Sequence, residues 1–275
     1  MPFGGPLVLI KGGGDLATGV AYRLWRAGIP VVVTELPEPL TVRRRAALSD
    51  AVAEGRTTVE GMTAIRAADA AAAAAALQRG EIPVLVDPEA TARLTLRPQA
   101  LVDAVMAKRN TGTRRTDAPV VVALGPGFLA GSDCHAVIET NRGHWLGRTL
   151  YHGSAEPDTG VAALRGGAAG TRLLRAPCAG RFRAERAIAD RVRRAEAVAW
   201  VVPAAGPPQP VLAGCDGLVR GLLRDGYAVA AGCKVGDVDP AGEPAHCSTI
   251  SDKALAVGGG ALEAILHLGR FVRPL

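Results

Sequence analysis

Aromatic residues are scarce in this 275-residue chain: three Trp, three Tyr and four Phe, or 4%. They do not interleave with the basic residues, so the stacking platform that a single-stranded nucleic acid requires is missing. Lysine is scarce too, confined to Lys11, Lys108, Lys234 and Lys253. The formal charge of +6 is therefore carried by arginine beside abundant alanine. It reads as arginine usage with a few phosphate contacts, such as Arg43-Arg44-Arg45, and no nucleic-acid partner is expected. The five cysteines (Cys134, Cys178, Cys215, Cys233 and Cys247) are odd in number and contain no Cys-x-x-Cys pair. That argues against a disulfide framework or a zinc knuckle and fits a reducing compartment. No apolar run reaches the ~20 residues that span a bilayer. Met1 opens onto a strand-like stretch and not a signal peptide, so a cytoplasmic location is expected.

What is present points to a packed α/β chain. Hydrophobic residues make up 48%, with 34 Gly and 19 Pro, enough to bury a core over two domains. Residues 7–11 (LVLIK) read as a buried strand, 15–27 as a helix stopped by Gly28 and Pro30, and 31–35 (VVVTE) as a second strand. A strand at 57–65, an alanine helix at 67–78, a strand at 82–86, a helix at 98–109 opened by Pro98, and a strand at 119–124 follow. The texture then turns β-rich. Residues 176–180 (APCAG) and 213–217 (AGCDG) share Ala-x-Cys-x-Gly at an offset of 37, and Val192/Val229 and Ala195/Gly232 keep that offset. Such halves resemble those of biotinyl/lipoyl barrel-sandwich domains. The connection at 203–212 has no lysine, so covalent biotin or lipoate is not expected. The last helix, ALEAILHL, is preceded by Gly258, Gly259 and Gly260.

The expected fold class is α/β: a Rossmann-like parallel sheet domain over 1–165, to which 246–275 returns, plus an unmodified barrel-sandwich domain over 170–245. Its strongest motif is Gly12-Gly13-Gly14-Asp15-Leu16-Ala17, a Gly-x-Gly-x-x-Ala run between a strand and a helix. Glycines let a pyrophosphate approach the backbone, and the helix N-terminus attracts it. Glu35, 21 residues after Gly14, is placed to accept from a ribose diol and to oppose a 2′-phosphate. A tight strand-to-helix turn explains the same letters. Gly125 and Gly127 follow the strand at 119–124. Cys134 and His135 stand as nucleophile with base or as soft metal ligands, with Cys247 a further thiol; simple burial accounts for them equally well. His144 and Lys253 are candidate acid/base groups in polar stretches (NRGH and HCSTISDK), where Ser251 and Asp252 also suit helix capping.

Four long segments carry a resemblance: KGGGDLATGVAYRLWRAG, VVVTELPEPLTVRRRAALSDAVAEG, ALGPGFLAGSDCHAVIETNRGHWLGRTLYHG and KVGDVDPAGEPAHCSTISDKALAVGGGALEAIL. Together they resemble the accessory proteins of the selenium-dependent molybdenum hydroxylase system, the YqeB-type family, related in context to the XdhC/CoxI maturation factors. The resemblance implies maturation of a molybdenum hydroxylase client, with NAD or a molybdopterin dinucleotide as the ligand of the glycine loop. It leaves open a homo-oligomer, an NAD-dependent oxidoreductase of unknown substrate, and a non-catalytic scaffold with a vestigial nucleotide site.

Overall fold

The computed structural model describes residues 6–158 and 172–269. These fall into two compact units: 6–39, 47–158 and 250–269 in the first, 40–46 and 172–249 in the second. The expected domain boundary between 165 and 170 lies outside the described residues.

The first unit opens with β1 (Val8–Lys11), α1 (Asp15–Arg26), β2 (Val31–Glu35), α2 (Ala51–Glu54), β3 (Arg56–Val59), β4 (Met62–Ala67), α3 (Ala70–Gln78) and β5 (Ile82–Val86). It continues with α4 (Arg93–Leu96), β6 (Ala100–Asp103), β7 (Val120–Leu124), β8 (Ala136–Ile138) and β9 (Thr149–Leu150). The nine strands form one sheet in the order β3-β4-β5-β2-β1-β6-β7-β8-β9. Pairs between β4 and β8 are parallel, while β3 and β9 close the two edges antiparallel. The second unit holds β10 (Leu173–Arg175), β11 (Gly180–Ala184), β12 (Arg191–Val192), β13 (Ala197–Val202), β14 (Gln209–Leu212), β15 (Gly217–Leu222), β16 (Ala228–Val229) and β17 (Lys234–Asp239). The chain then supplies α5 (Asp252–Leu268) to the first unit.

The expected fold class is corrected on both counts. The sheet is mixed, and the β6–β7 and β7–β8 connections carry no helix, so the alternation of a Rossmann-like parallel sheet is broken. The second unit consists of two four-stranded antiparallel sheets, β10-β17-β15-β12 and β14-β13-β11-β16, in place of a biotinyl/lipoyl-type barrel. The 37-residue spacing is visible in it: β11, β12 and β13 start at 180, 191 and 197, and β15, β16 and β17 at 217, 228 and 234. Around these sheets Phe182, Val198, Val201, Val219 and Val235 build a separate core. Residues 98–109 are also corrected. Ala100 to Asp103 are buried on both faces between β1 and β7, a site where a short extended run satisfies every backbone group and a helix does not.

One face of the first sheet is covered by α1 and α5. Leu16, Val20 and Leu24 of α1 and Ala254, Val257, Ala261 and Ile265 of α5 join Val8, Ile10, Val33, Val102 and Val122. The opposite face buries Leu9, Leu101, Val121 and Val137, and, toward α3, Leu7, Val32, Ala73 and Leu85. Ser251 caps α5 by accepting from the Ala254 N–H at 3.2 Å. Gly258, Gly259 and Gly260, expected ahead of the last helix, lie inside it. A methyl at Gly258 would fall on the carbonyl of Gly19, one at Gly19 on that of Ala254, and one at Gly260 on that of Gly147. Glycine weakens a helix by about 1 kcal/mol per residue; here that cost is offset by backbone-to-backbone packing of α1 against α5.

Gly19→Ala and Gly258→Ala are each expected to destabilise the protein by about 2–3 kcal/mol through overpacking, lowering the melting midpoint by about 5–10 °C. Gly259, whose added methyl would meet nothing within 4 Å, should tolerate Ala and gain up to about 1 kcal/mol of helix propensity. Equal responses at the three positions would show that helix contact does not set the glycine requirement.

Candidate functional site

The carboxyl edge of the parallel strands gathers the chemistry. After Lys11 the chain turns at Gly12, whose φ of +90° favours glycine. Its N–H donates to the Thr34 carbonyl at 2.8 Å. A methyl at Gly12 would lie 3.1 Å from the Ala104 backbone, and one at Gly13 3.1 Å from the Ser49 backbone. The Ser49 N–H in turn donates to the Gly13 carbonyl at 2.9 Å. Gly12 is thus favoured by its own backbone conformation, and a side chain at either glycine would crowd the protein's own backbone. Glu35 sits at the end of β2 as expected, but it faces the loop: its Oε2 accepts from the Gly13 N–H and its Oε1 from the Leu36 N–H, each at 2.7 Å. Burial raises its carboxyl above the ordinary value in spite of these two donors.

Gly14 is the N-cap of α1 and offers its first turn no side-chain oxygen. Asp15 is the first helical residue, not the cap, while Leu16 and Ala17 point into the core. Gly125 and Gly127 lie further along the edge, at φ of +72° and +102°. A methyl at Gly127 would come within 2.5 Å of the Arg109 backbone, so the segment after β6 is threaded tightly over this turn.

Sequence reasoning missed a row of buried polar residues. Thr34, Lys11 and Asp103 hold matched positions on β2, β1 and β6, with side chains on the face opposite α1 and α5. Glu139, next after β8, is buried as well. The Asp103 Oδ2 accepts from the Thr113 hydroxyl at 2.5 Å and its Oδ1 from the Val105 N–H at 3.1 Å. Glu139 accepts from the Asn141 and Glu156 N–H groups at 2.6 and 2.7 Å. A signal was present: LVLIK, VVVTE, ALVD and AVIE are apolar runs that each end in polar residues.

The remaining candidates are scattered. Cys134 is wholly buried in the first unit, where burial, with Asp133 adding to it, pushes its thiol up to about 12; it is a protonated core thiol at neutral pH. His135 follows it, its Nδ1 accepting from the Val121 N–H at 3.0 Å. Cys247 belongs to the second unit and is also buried, its thiol raised by desolvation. Among the described residues no three His, Cys, Asp or Glu side chains cluster to hold a metal. His144 is exposed and packs edge-on against Trp145 at 4.6 Å, and Arg148 stacks on that same Trp at 4.1 Å. The two polar stretches do meet, through a bidentate pair from Arg142 to Asp252 at 2.7 and 2.8 Å. Lys253 is half-buried in the first turn of α5. Among the described residues no helix is long and apolar enough to cross a membrane.

No family model matches the chain. It is 48% identical over 267 residues to an Escherichia coli (strain K12) protein described as uncharacterized protein YqeB, covering 97% of this chain and 48% of that protein. The chain therefore spans about half the length of the curated relative it matches. Solved structures similar to it include the ectoine utilization protein EutE (DoeB) from Ruegeria pomeroyi, at 14% identity and a TM-score of 0.27 over 85% of each chain. A succinylglutamate desuccinylase/aspartoacylase from Rhodobacter sphaeroides follows at 18% identity and a TM-score of 0.26 over 87% of each. The expected role in maturation of a molybdenum hydroxylase of the selenium-dependent system is not sustained: the curated relative is described without a function.

A prediction attaches to His135. Burial, with Arg115 adding to it, holds its pKa below the ordinary 6.5, and its accepted hydrogen bond requires an unprotonated Nδ1. A lowered folded pKa gives stability that is full above about pH 6.5 and lost as pH falls through the folded value. Urea unfolding between pH 8 and 5 should show that loss. His135→Leu, which has no acceptor, should cost about 1–3 kcal/mol at pH 8, because the Val121 N–H loses its partner, and should remove this component of the pH dependence. A variant with the wild-type pH profile would exclude the histidine as its source.

Proposed function

We propose that the first unit binds a phosphorylated ligand, of the NAD or molybdopterin dinucleotide class, across the carboxyl edge of its sheet. The observation that carries this reading is the start of α1: a twelve-residue helix begins at the end of a central parallel strand, and its N-cap Gly14 supplies no side-chain oxygen to the first-turn amides. A phosphate oxygen supplies that acceptor and meets the positive end of the helix dipole. Open α/β sheets bind ligands at this edge. Glu35 supports the dinucleotide form, since a carboxylate has about four acceptor positions and two are taken by backbone amides. The others suit the two hydroxyls of a ribose, and the carboxylate opposes a 2′-phosphate.

The test is a thermal-shift and calorimetric titration with NAD, NADP and a molybdopterin dinucleotide, on wild type and Gly14→Asp. Asp is a favoured N-cap and fits the φ of −66° and ψ of −175° found there, so the variant should fold at least as stably. Its carboxylate fills the phosphate position and should weaken binding at least about tenfold, a loss of about 1.4 kcal/mol. NAD should bind more tightly than NADP. If no dinucleotide stabilises wild type, or Gly14→Asp binds equally well, the reading fails.

A further inference from the structure

Lys11 is a buried cation that the dinucleotide reading does not use. Its residue is 5% exposed, yet its ammonium makes only two long contacts, 3.4 Å to the Thr111 carbonyl and 3.5 Å to the Thr113 hydroxyl. Good N–H···O bonds fall near 2.9–3.0 Å, and an ammonium carries three donors. No carboxylate approaches it within 4 Å among the described residues. Such a group is costly to bury without a closer partner. The neighbour at matched register on β2 is Thr34, fully buried, whose hydroxyl has no hydrogen-bond partner. The two residues thus hold neighbouring register positions, on strands about 4.8 Å apart, with both side chains on the face away from α1.

Asp103, on the other flank of Lys11, reaches the ammonium only through Thr113, whose hydroxyl donates to the Asp103 Oδ2 and stands 3.5 Å from the Lys11 Nζ; its Oδ1 accepts from the Val105 N–H. Residues 104–113 therefore form a strap over the row, closed by Asn110, whose Oδ1 accepts from the Gly112 and Thr113 N–H groups at 2.9 Å. Two non-glycine residues of the strap, Met106 and Lys108, sit at positive φ (58° and 61°). Left-handed backbone of this kind persists where surrounding contacts enforce it and is frequent at ligand clamps.

We propose that Lys11 and Thr34 form an oxyanion site, taking a carboxylate or phosphate group of a small molecule beneath the 104–113 strap. The ammonium, with two long contacts, and the unpartnered Thr34 hydroxyl are donors short of a strong acceptor, and an oxyanion supplies several. The site stands on its own observations and remains if the dinucleotide reading fails.

The experiment uses the full chain with inorganic phosphate and with succinate as probes, at constant ionic strength with chloride as the control, read by thermal shift and calorimetry. Wild type should be stabilised by one or both probes. Thr34→Val, nearly isosteric, should weaken that binding about tenfold, and Lys11→Met about 100-fold, the scale of charge-assisted hydrogen bonds. Each titration is run in the Gly14→Asp background as well, so that phosphate held at the helix terminus does not count toward this site. If Lys11→Met unfolds, Thr34→Val decides alone. Wild type indifferent to both probes, the mark of a water-filled gap, overturns the proposal. So does probe binding that survives Thr34→Val at undiminished strength in the Gly14→Asp background.

Discussion

The first unit depends on one contact: the backbone of α1 lies directly on the backbone of α5. Gly19 faces the Ala254 carbonyl, and Gly258 faces the Gly19 carbonyl, with no side chain between them. Because α5 arrives from the far end of the chain, this contact ties residues 252–268 to the opening β1–α1 turn. It also fixes how α1 leaves the sheet. The glycine loop and the uncapped first turn are held at the carboxyl edge by packing that begins a full helix turn away.

The same economy explains the loop itself. A Gly-x-Gly-x-x-Ala run between strand and helix is commonly read as room made for a pyrophosphate. Here Gly12 makes room for Ala104 and Val105, and Gly13 for Ser49, while Glu35 accepts from the Gly13 amide. The ligand argument therefore moves from the glycines to two places along the edge: the start of α1, whose N-cap Gly14 brings no side-chain oxygen, and the Lys11 ammonium with the unpartnered Thr34 hydroxyl.

Much of the local structure was legible in the sequence. The strands at 8–11, 31–35, 82–86 and 120–124 are short apolar runs bounded by turn residues, and α1 declares itself by Leu16, Val20 and Leu24 at four-residue spacing. The 37-residue spacing reappears as strand starts in the second unit. The failures have physical causes. ALVD at 100–103 was absorbed into a helical pattern because four residues are too few for a period, and only flanking strands on both sides make them extended. Gly258 to Gly260 read as a helix breaker because propensity is local, whereas the backbones packed on Gly258 and Gly260, those of Gly19 and Gly147, lie more than 100 residues away in the chain. The antiparallel edges β3 and β9 leave no mark in composition, so the sheet looked wholly parallel.

The polar row was hidden for a related reason. Lys11, Thr34, Asp103 and Glu139 each close an apolar run, and a polar residue at a strand end is ordinarily where the chain meets water. Only the order β2-β1-β6-β7-β8 brings these ends together along one edge, where all four are buried. Buried there, these four and Glu35 are not alike. Glu35, Asp103 and Glu139 each find two donors, from backbone amides and one threonine hydroxyl. Backbone amides are plentiful at strand ends and loop starts, so a buried carboxylate is readily answered there. A buried ammonium needs acceptors aimed at it, and the strap offers Lys11 only two, both distant. The asymmetry between carboxylates with two close donors each and an ammonium with two long contacts is the basis of the oxyanion proposal.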